Sequence, residues 1–321
     1  MPSERRRALV VGIDDYSGAP LAGCVNDANA MTSLLRTNED GSPNFHVKSM
    51  TQPSQKITRS TLRAALNKLF SEHDEADVAL FYFSGHGTEN ILGGFIVTPD
   101  AKQYDEGVSL ADILTLANRS KARECVIILD SCHSGHLGSV PSTGSEHVNL
   151  REGVSILTAS RAAQVAVEVD GRGLFTELVC GALEGGAADV LGQTTVAGVY
   201  AYVEQALGPW DQRPLVRANL SKLISLRNNR PAITPEILRQ LPAWFPTSDH
   251  VLALDPSYEP LAEPKNSEHE KIFGHLQRCR AAKLVDPVGE EHMYFAAMNS
   301  TGCKLTPLGR HYWRLAQGGL V

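Results

Sequence analysis

Val78-Ala79-Leu80-Phe81-Tyr82-Phe83-Ser84-Gly85-His86-Gly87 holds six apolar residues in a row and ends in an imidazole flanked by glycines. An unbroken apolar run suits a strand covered on both faces, as in a parallel sheet clad by helices. The same design recurs at Cys125-Val126-Ile127-Ile128-Leu129-Asp130-Ser131-Cys132-His133-Ser134-Gly135, where an apolar strand ends in a thiol. Working outward, Ala8–Ile13 and Val154–Thr158 read as further core strands. Helical patterns lie between them. Asn26 or Asp27 can cap a helix through Ala30, Leu34 and Leu35, and Leu62, Ala65, Leu66 and Leu69 recur at helical spacing within 58–70. Ser109–Ala117, Leu174–Leu183 and Val196–Leu207 complete the set. This alternation predicts an α/β fold around a mostly parallel sheet.

The two strand tips carry the chemistry. Open α/β sheets place their ligand crevice at the carboxyl edge of the strands. If the strands are neighbours, His86 and Cys132 fall side by side, although 46 residues separate them in sequence. A thiol beside an imidazole is the arrangement needed for thiolate attack on a carbonyl, with the imidazole later protonating the leaving amine. Gly85 and Gly87 clear side chains from around His86. The N–H groups of Gly87 and Cys132 could then form an oxyanion hole, worth about 2.7–4 kcal/mol per donor. A lone strand-end histidine or cysteine is usually structural; the pairing of both at two such tips raises the catalytic reading.

Composition sets the bounds. The 321 residues are 42% hydrophobic and 21% charged, so a sizeable core can form. With 30 Lys+Arg against 36 Asp+Glu, the net charge of −6 argues against a chain that coats nucleic acid or anionic membrane. No apolar run approaches the ~20 residues of a membrane-spanning helix. Arg5, Arg6 and Arg7 precede an apolar stretch too short for a signal peptide, so a cytoplasmic protein is expected. None of the six cysteines forms a C-x-x-C pair, and no cofactor or metal is called for.

Ser84-Gly85-His86-Gly87 and Asp130-Ser131-Cys132-His133-Ser134-Gly135 resemble the two motifs of the caspase-like cysteine peptidases, clan CD. The Asp-Ser-Cys-His-Ser-Gly form is closer to metacaspases and bacterial caspase-like proteins than to animal caspases. Ala8–Ile13, Leu21-Ala22-Gly23-Cys24-Val25-Asn26-Asp27-Ala28 and Gly171-Arg172-Gly173-Leu174-Phe175-Thr176 also resemble metacaspase segments. The resemblance spans about residues 5–225. It implies a three-layer α/β/α sandwich around a six-stranded, mostly parallel sheet, with His86 and Cys132 as the catalytic dyad. It also implies that Asp27 and Asp130 line an acidic pocket for the substrate residue before the cut, hence cleavage after Arg, then Lys, and not after Asp. Alternatively Asp27 caps its helix, and Asp130 orients His86 or the cysteine loop. Calcium-activated metacaspases carry an Asp cluster after the His-Gly motif; here Thr88–Phe95 offers a single Glu89, too few oxygens for a calcium site. His133 and His136 lack a third ligand and read as loop residues. The Gly/Ser/Thr/Pro-rich stretch after the nucleophile invites self-cleavage, with Arg151 or Arg172 as the cut residue.

The peptidase domain is expected over 1–230, and 231–321 as a regulatory module. Seven prolines from Pro231 to Pro264 read as a linker with short turns. Beyond it, Glu268–Arg280 is a helix, Tyr294–Met298 a short strand, and Thr306 caps a last helix with Pro307 in its first position. Leu305-Thr306-Pro307-Leu308-Gly309 looks like a winged-helix turn, which suggests a small α+β, winged-helix-like module. Its 9 Lys+Arg against 10 Asp+Glu provide no basic face, so nucleic acid is an unlikely partner. A cytosolic protease needs a gate. Similar bacterial proteins resemble defence effectors gated by a partner signal or a nucleotide messenger. Arg278, Arg280, Arg310 and Arg314 are the candidate clamps for such an anion, against a plain solvated-face reading. The rival functions are a catalytically silent scaffold, another Cys-His acyl transferase, and a transcription regulator acting through the tail.

Overall fold

The computed structural model describes residues 5–73, 75–91, 93–103, 105–131, 150–159, 168–169, 171–207, 214–220 and 224–321. The chain divides into two compact units, one over 1–188 and 193–229, the other over 189–192 and 230–321.

The first unit opens with β1 (Arg6–Gly12), α1 (Cys24–Arg36), β2 (His46–Thr51), α2 (Arg59–Leu69) and β3 (Val78–Ser84). Three strands that the periodicity does not predict follow: β4 (Gly87–Asn90), β5 (Gly93–Lys102) and β6 (Asp105–Ser109) form a separate antiparallel sheet. Then come α3 (Leu110–Arg119), β7 (Glu124–Asp130), β8 (Val154–Thr158), the two-residue strands β9 (Glu168–Val169) and β10 (Arg172–Gly173), and α4 (Leu174–Gly181). A π-turn over Ala182–Gly186 extends α4. β11 (Gln193–Thr195), α5 (Val196–Ala206), β12 (Leu215–Asn219) and β13 (Ser225–Asn228) end the unit.

Six of these strands make the central sheet, in the order β12-β8-β7-β3-β1-β2. All neighbours run parallel except β12, which is antiparallel to β8. Every residue of β3 and β7 is buried. Because strand side chains alternate between faces, Phe81, Phe83, Ile127 and Leu129 join one core with Leu62, Leu66, Ile113 and Leu114 of α2 and α3. Leu80, Tyr82, Val126 and Ile128 join the other, with Met31, Leu35, Val179 and Val199 of α1, α4 and α5. The result is the expected three-layer α/β/α sandwich around a six-stranded, mostly parallel sheet.

α1 begins at Cys24, earlier than a cap at Asn26 or Asp27 would allow, and its N-cap Gly23 makes no side-chain bond. The Asp14 carboxylate, ten residues upstream, accepts from the N–H of Cys24 (2.8 Å) and of Val25 (3.3 Å) instead. It satisfies donors that a local cap would otherwise serve. α2 matches its expected start, because Thr58 and Thr61 form a reciprocal capping pair.

The second unit is a small α/β module. It holds α6 (Pro235–Leu238), α7 (Leu241–Trp244), β14 (Val251–Leu252), α8 (Ser267–Ala281), β15 (Val285–Pro287), α9 (Met293–Met298), β16 (Cys303–Leu305) and α10 (Pro307–Gln317). Its antiparallel sheet has the order β14-β16-β15. The proline-rich stretch is not a linker. Ile233, Ile237, Leu238, Leu241, Trp244 and Phe245 are all buried in the module's core, and Pro235 and Pro242 sit in the first turns of short helices. Tyr294–Met298 is helical rather than a strand. Met293, Ala296 and Ala297 are buried while Tyr294 and Phe295 are exposed, a spacing of three and four. The last helix is as expected, with the Thr306 hydroxyl accepting from Gly309 N–H at 3.0 Å.

Candidate active site

β3 and β7 are neighbours, with Phe83 opposite Leu129 and Ser84 opposite Asp130. Gly85 N–H donates to the Asp130 carbonyl at 3.2 Å, so the two tips remain joined beyond the strands. His86 thus leaves the sheet beside the end of β7. Ser131 is the last residue described there; Cys132, His133, His136 and the Ser134–Ser145 stretch lie outside the described residues.

His86 is held from three directions. Its Nε2 is 2.7 Å from the carbonyl of Ala19. A carbonyl only accepts, so in the neutral ring Nε2 carries the proton and Nδ1 is left as the base. The Tyr16 ring packs on the imidazole with centroids 4.6 Å apart. The Tyr16 hydroxyl accepts from His86 N–H at 3.1 Å and donates to the Val97 carbonyl at 3.3 Å, while Val97 N–H donates to the His86 carbonyl at 3.0 Å. The phenol therefore sits in the rung that would otherwise join His86 to Val97. Gly85 leaves it room, since a Cβ there would lie 2.5 Å from the Tyr16 oxygen. Burial pushes the Tyr16 phenol far above its ordinary range, so it stays neutral.

The rung alternation also orients Gly87. Bonded and non-bonded pairs alternate along an antiparallel ladder. With His86 and Val97 as a bonded pair, the next pair, Gly87 and Ile96, directs its N–H groups away from the partner strand.

The loop that supplies Ala19 is closed by Asp14. Its backbone carbonyl accepts from Tyr16 and Leu21 N–H, and its carboxylate binds the start of α1. Neither Tyr16 nor Ala19 was indicated by the sequence pattern. A backbone carbonyl has no residue signature, but a tyrosine four residues beyond the end of β1 is a readable signal.

Asp27 and Asp130 come together on the other side of β3. Asp27 is 1% exposed and Asp130 6%. Asp27 accepts from the Ser84 hydroxyl at 3.1 Å and from Gly173 N–H at 3.2 and 3.3 Å. Asp130 Oδ2 accepts from the Thr176 hydroxyl at 2.6 Å and from Thr176 N–H at 3.3 Å. A Cβ on Gly173 would run into Asp130 Oδ2 and lie 3.1 Å from Asp27 Oδ2, so both carboxylates press on this one backbone position. Burial, and then the charge on Asp130, push the Asp27 carboxyl up to about 7, against the opposing hydrogen bonds of Gly173 and Ser84 and the charge of Arg172. Asp27 is therefore a buried residue of α1 and not its cap, which is Gly23. The Asp130 side chain binds Thr176, and its backbone carbonyl accepts from Gly85 in the His86 turn.

Arg172 is exposed in β10, one residue before Gly173. Arg151 is differently placed. Its guanidinium donates to the carbonyls of Ala117, Ala122, Arg123 and Glu152. Glu89 lies exposed in β4, within the hairpin that follows the His-Gly motif. In the second unit, Arg278 and Arg280 stand two apart on α8 and so point about 200° apart around the helix. Arg280 pairs with Asp286. Arg310 and Arg314 share one face of α10, a turn apart.

The five described cysteines, Cys24, Cys125, Cys180, Cys279 and Cys303, are all buried. Burial raises every one of these thiols above its ordinary range. No described helix is long and apolar enough to cross a membrane.

Comparison with known proteins agrees with this fold. The family model for the caspase domain matches residues 5–225. Metacaspase-1 of Arabidopsis thaliana is 30% identical over 159 residues, 44% of this chain and 42% of that protein. Metacaspase-4 of the same plant is 34% identical over 147 residues, 41% of this chain and 34% of that protein. Metacaspase-1 of Mycosarcoma maydis is 26% identical over 215 residues, 60% and 54% respectively. The chain thus spans about half or less of the length of these relatives. The crystal structure of a Geobacter sulfurreducens protein superposes with a TM-score of 0.50 at 17% identity, covering 71% of this chain and 98% of that one. At that identity the likeness is one of fold.

Proposed function

Because this chain belongs to the caspase-domain family, we propose that it is a cysteine endopeptidase that cuts after Arg, and less readily after Lys, through Cys132 and His86. The observation that carries this reading is the fixed His86 ring at the carboxyl end of β3, beside the strand that leads to Cys132. The burial of the five described thiols supports Cys132 as the nucleophile.

The chemistry follows from the ring's orientation. His86 Nδ1 takes the Cys132 thiol proton, and the thiolate attacks the carbonyl carbon of the scissile peptide. The developing oxyanion is received by the N–H groups of Gly87 and Cys132. His86 then returns the proton to the leaving amine, and the C–N bond breaks to leave a thioester. Water, deprotonated by His86, hydrolyses the thioester and restores the thiol. The Ala19 carbonyl steadies the imidazolium that forms between these steps.

Asp27 and Asp130 supply the pocket for the basic side chain. Two carboxylates at one site offer charge-assisted bonds to a guanidinium that an acidic side chain could not make. Self-processing, where it occurs, falls after Arg172 rather than Arg151, because the Arg151 side chain is already committed to four carbonyls. The C-terminal module is the regulatory element, through which a partner protein or a nucleotide messenger gates an effector of defence or cell death. Arg310 and Arg314 are its better-placed anion contacts.

The test is a fluorogenic peptide panel with Arg, Lys, Asp and Ala before the cut, run on wild type and Cys132→Ala. Cleavage after Arg that vanishes in Cys132→Ala is expected. Preference for Asp removes the acidic-pocket assignment, and activity that survives in Cys132→Ala removes the nucleophile.

A further inference from the structure

Tyr82 lies in the middle of β3 with no exposed surface, packed in one of the two hydrophobic cores. A buried phenol needs a partner for its hydroxyl. Its oxygen lies 2.6 Å from Thr176 Oγ1. Thr176, itself fully buried, has one hydroxyl proton, and its oxygen lies 2.6 Å from Asp130 Oδ2. An ionised carboxylate accepts only, so the Thr176 proton points to Asp130 and the Tyr82 proton points to Thr176. The chain of donors runs in one direction, from Tyr82 through Thr176 to Asp130. Two residues along the same face of β3, the Ser84 hydroxyl donates to Asp27. One strand therefore anchors both carboxylates of the pocket, one directly and one through a relay.

The two anchors differ. Asp130 Oδ2 receives both the hydroxyl and the N–H of Thr176 at the start of α4, where the helix dipole also favours negative charge. Asp27 is instead crowded by the charge of Asp130. The carboxylates are thus unequal, one fixed as an anion and one yielding.

We infer that Tyr82 and Thr176 are positioning residues for basic-substrate selectivity, their hydroxyl relay holding Asp130 as the fixed anion against which a guanidinium docks. This rests on the acidic-pocket reading above but not on the Cys-His chemistry. Without the relay, Asp130 loses the hydroxyl that holds it at 2.6 Å and gains freedom to turn toward Asp27. Affinity for a guanidinium then falls, while the backbone subsites for the peptide are unchanged.

The experiment uses agmatine as a guanidinium probe, with binding to the full chain measured by calorimetry in wild type, Thr176→Val, Thr176→Ser and Tyr82→Phe. Loss of a hydrogen bond to a charged group predicts binding weaker by about tenfold or more in Thr176→Val. Tyr82→Phe should show a smaller loss, and Thr176→Ser should return to the wild-type value. A purely structural role would lower thermal stability in these variants without separating Ser from Val at position 176. Wild-type affinity in Thr176→Val overturns the inference. If Thr176→Val does not fold, Tyr82→Phe decides, and undiminished binding there overturns it. Wild type that fails to bind agmatine removes the acidic pocket and this inference together. Agmatine binding without peptide cleavage removes only the dyad.

Discussion

The Asp27 and Asp130 carboxylates both lie against Gly173, and the charge on Asp130 helps to push the Asp27 carboxyl up to about 7. Near physiological pH the buried Asp27 carboxyl is thus only partly ionised, beside the carboxylate of Asp130. Their inequality has consequences for substrate binding, for stability and for which residues can stand around them.

Asp27 must ionise to give a guanidinium its second anionic partner. KM for an Arg peptide should therefore fall as pH rises from 6 to 8, and Asp27→Asn should flatten that dependence. The stability effect runs the other way. The folded carboxyl titrates near 7 and the unfolded one near 3.8, so between these values the folded state binds more protons. This group's contribution is fully present below about 4 and is lost as pH rises through 7. Thermal melts of wild type and Asp27→Asn between pH 4 and 8 check the sign.

Gly173→Ala puts a methyl group into Asp130 Oδ2 and against Asp27. The carboxylates must shift or the β10–α4 turn must move, at a cost of about 1–3 kcal/mol. Arg-peptide cleavage should drop by at least about tenfold, with a lower melting temperature. A Gly173→Ala protein with wild-type selectivity would show that the carboxylates do not form the pocket.

Tyr16→Phe removes the hydroxyl between His86 N–H and the Val97 carbonyl. Two backbone groups lose their bridging partner, at a cost of about 1–3 kcal/mol. Because the same contact sets the height of the imidazole, kcat should fall by about 10- to 100-fold with KM little changed. Steady-state kinetics with a melting curve separates this positioning effect from loss of fold.

Much of this site was legible in the residues. The apolar runs at Val78–Phe83 and Cys125–Leu129 mark core strands because a doubly covered strand has no polar face to show. Their adjacency is a condition of the sequence reading, and the pairing of β3 with β7 supplies it. What stayed hidden depends on contacts distant in sequence. Thr176 stands 46 residues beyond Asp130, and Asp14 replaces a local cap on α1, so neither leaves a periodic trace. The hairpin of β4 to β6 escaped because its strands cross glycines and polar residues with little alternation. One signal was available: Tyr82 and Ser84 are polar groups on one face of a wholly buried strand, and each required a partner. In the second unit, short segments defeat periodicity. Six residues of α9 carry too few turns to distinguish a helix from a strand by apolar content alone.

The central claim is that Cys132 is the nucleophile and His86 its base. Mass spectrometry after reaction with an irreversible arginyl acyloxymethyl ketone tests it most directly. The account predicts one adduct, on Cys132, absent in Cys132→Ala and strongly reduced in His86→Ala. An adduct on Cys24 or any other thiol, or equal labelling of Cys132 without the histidine, would contradict it.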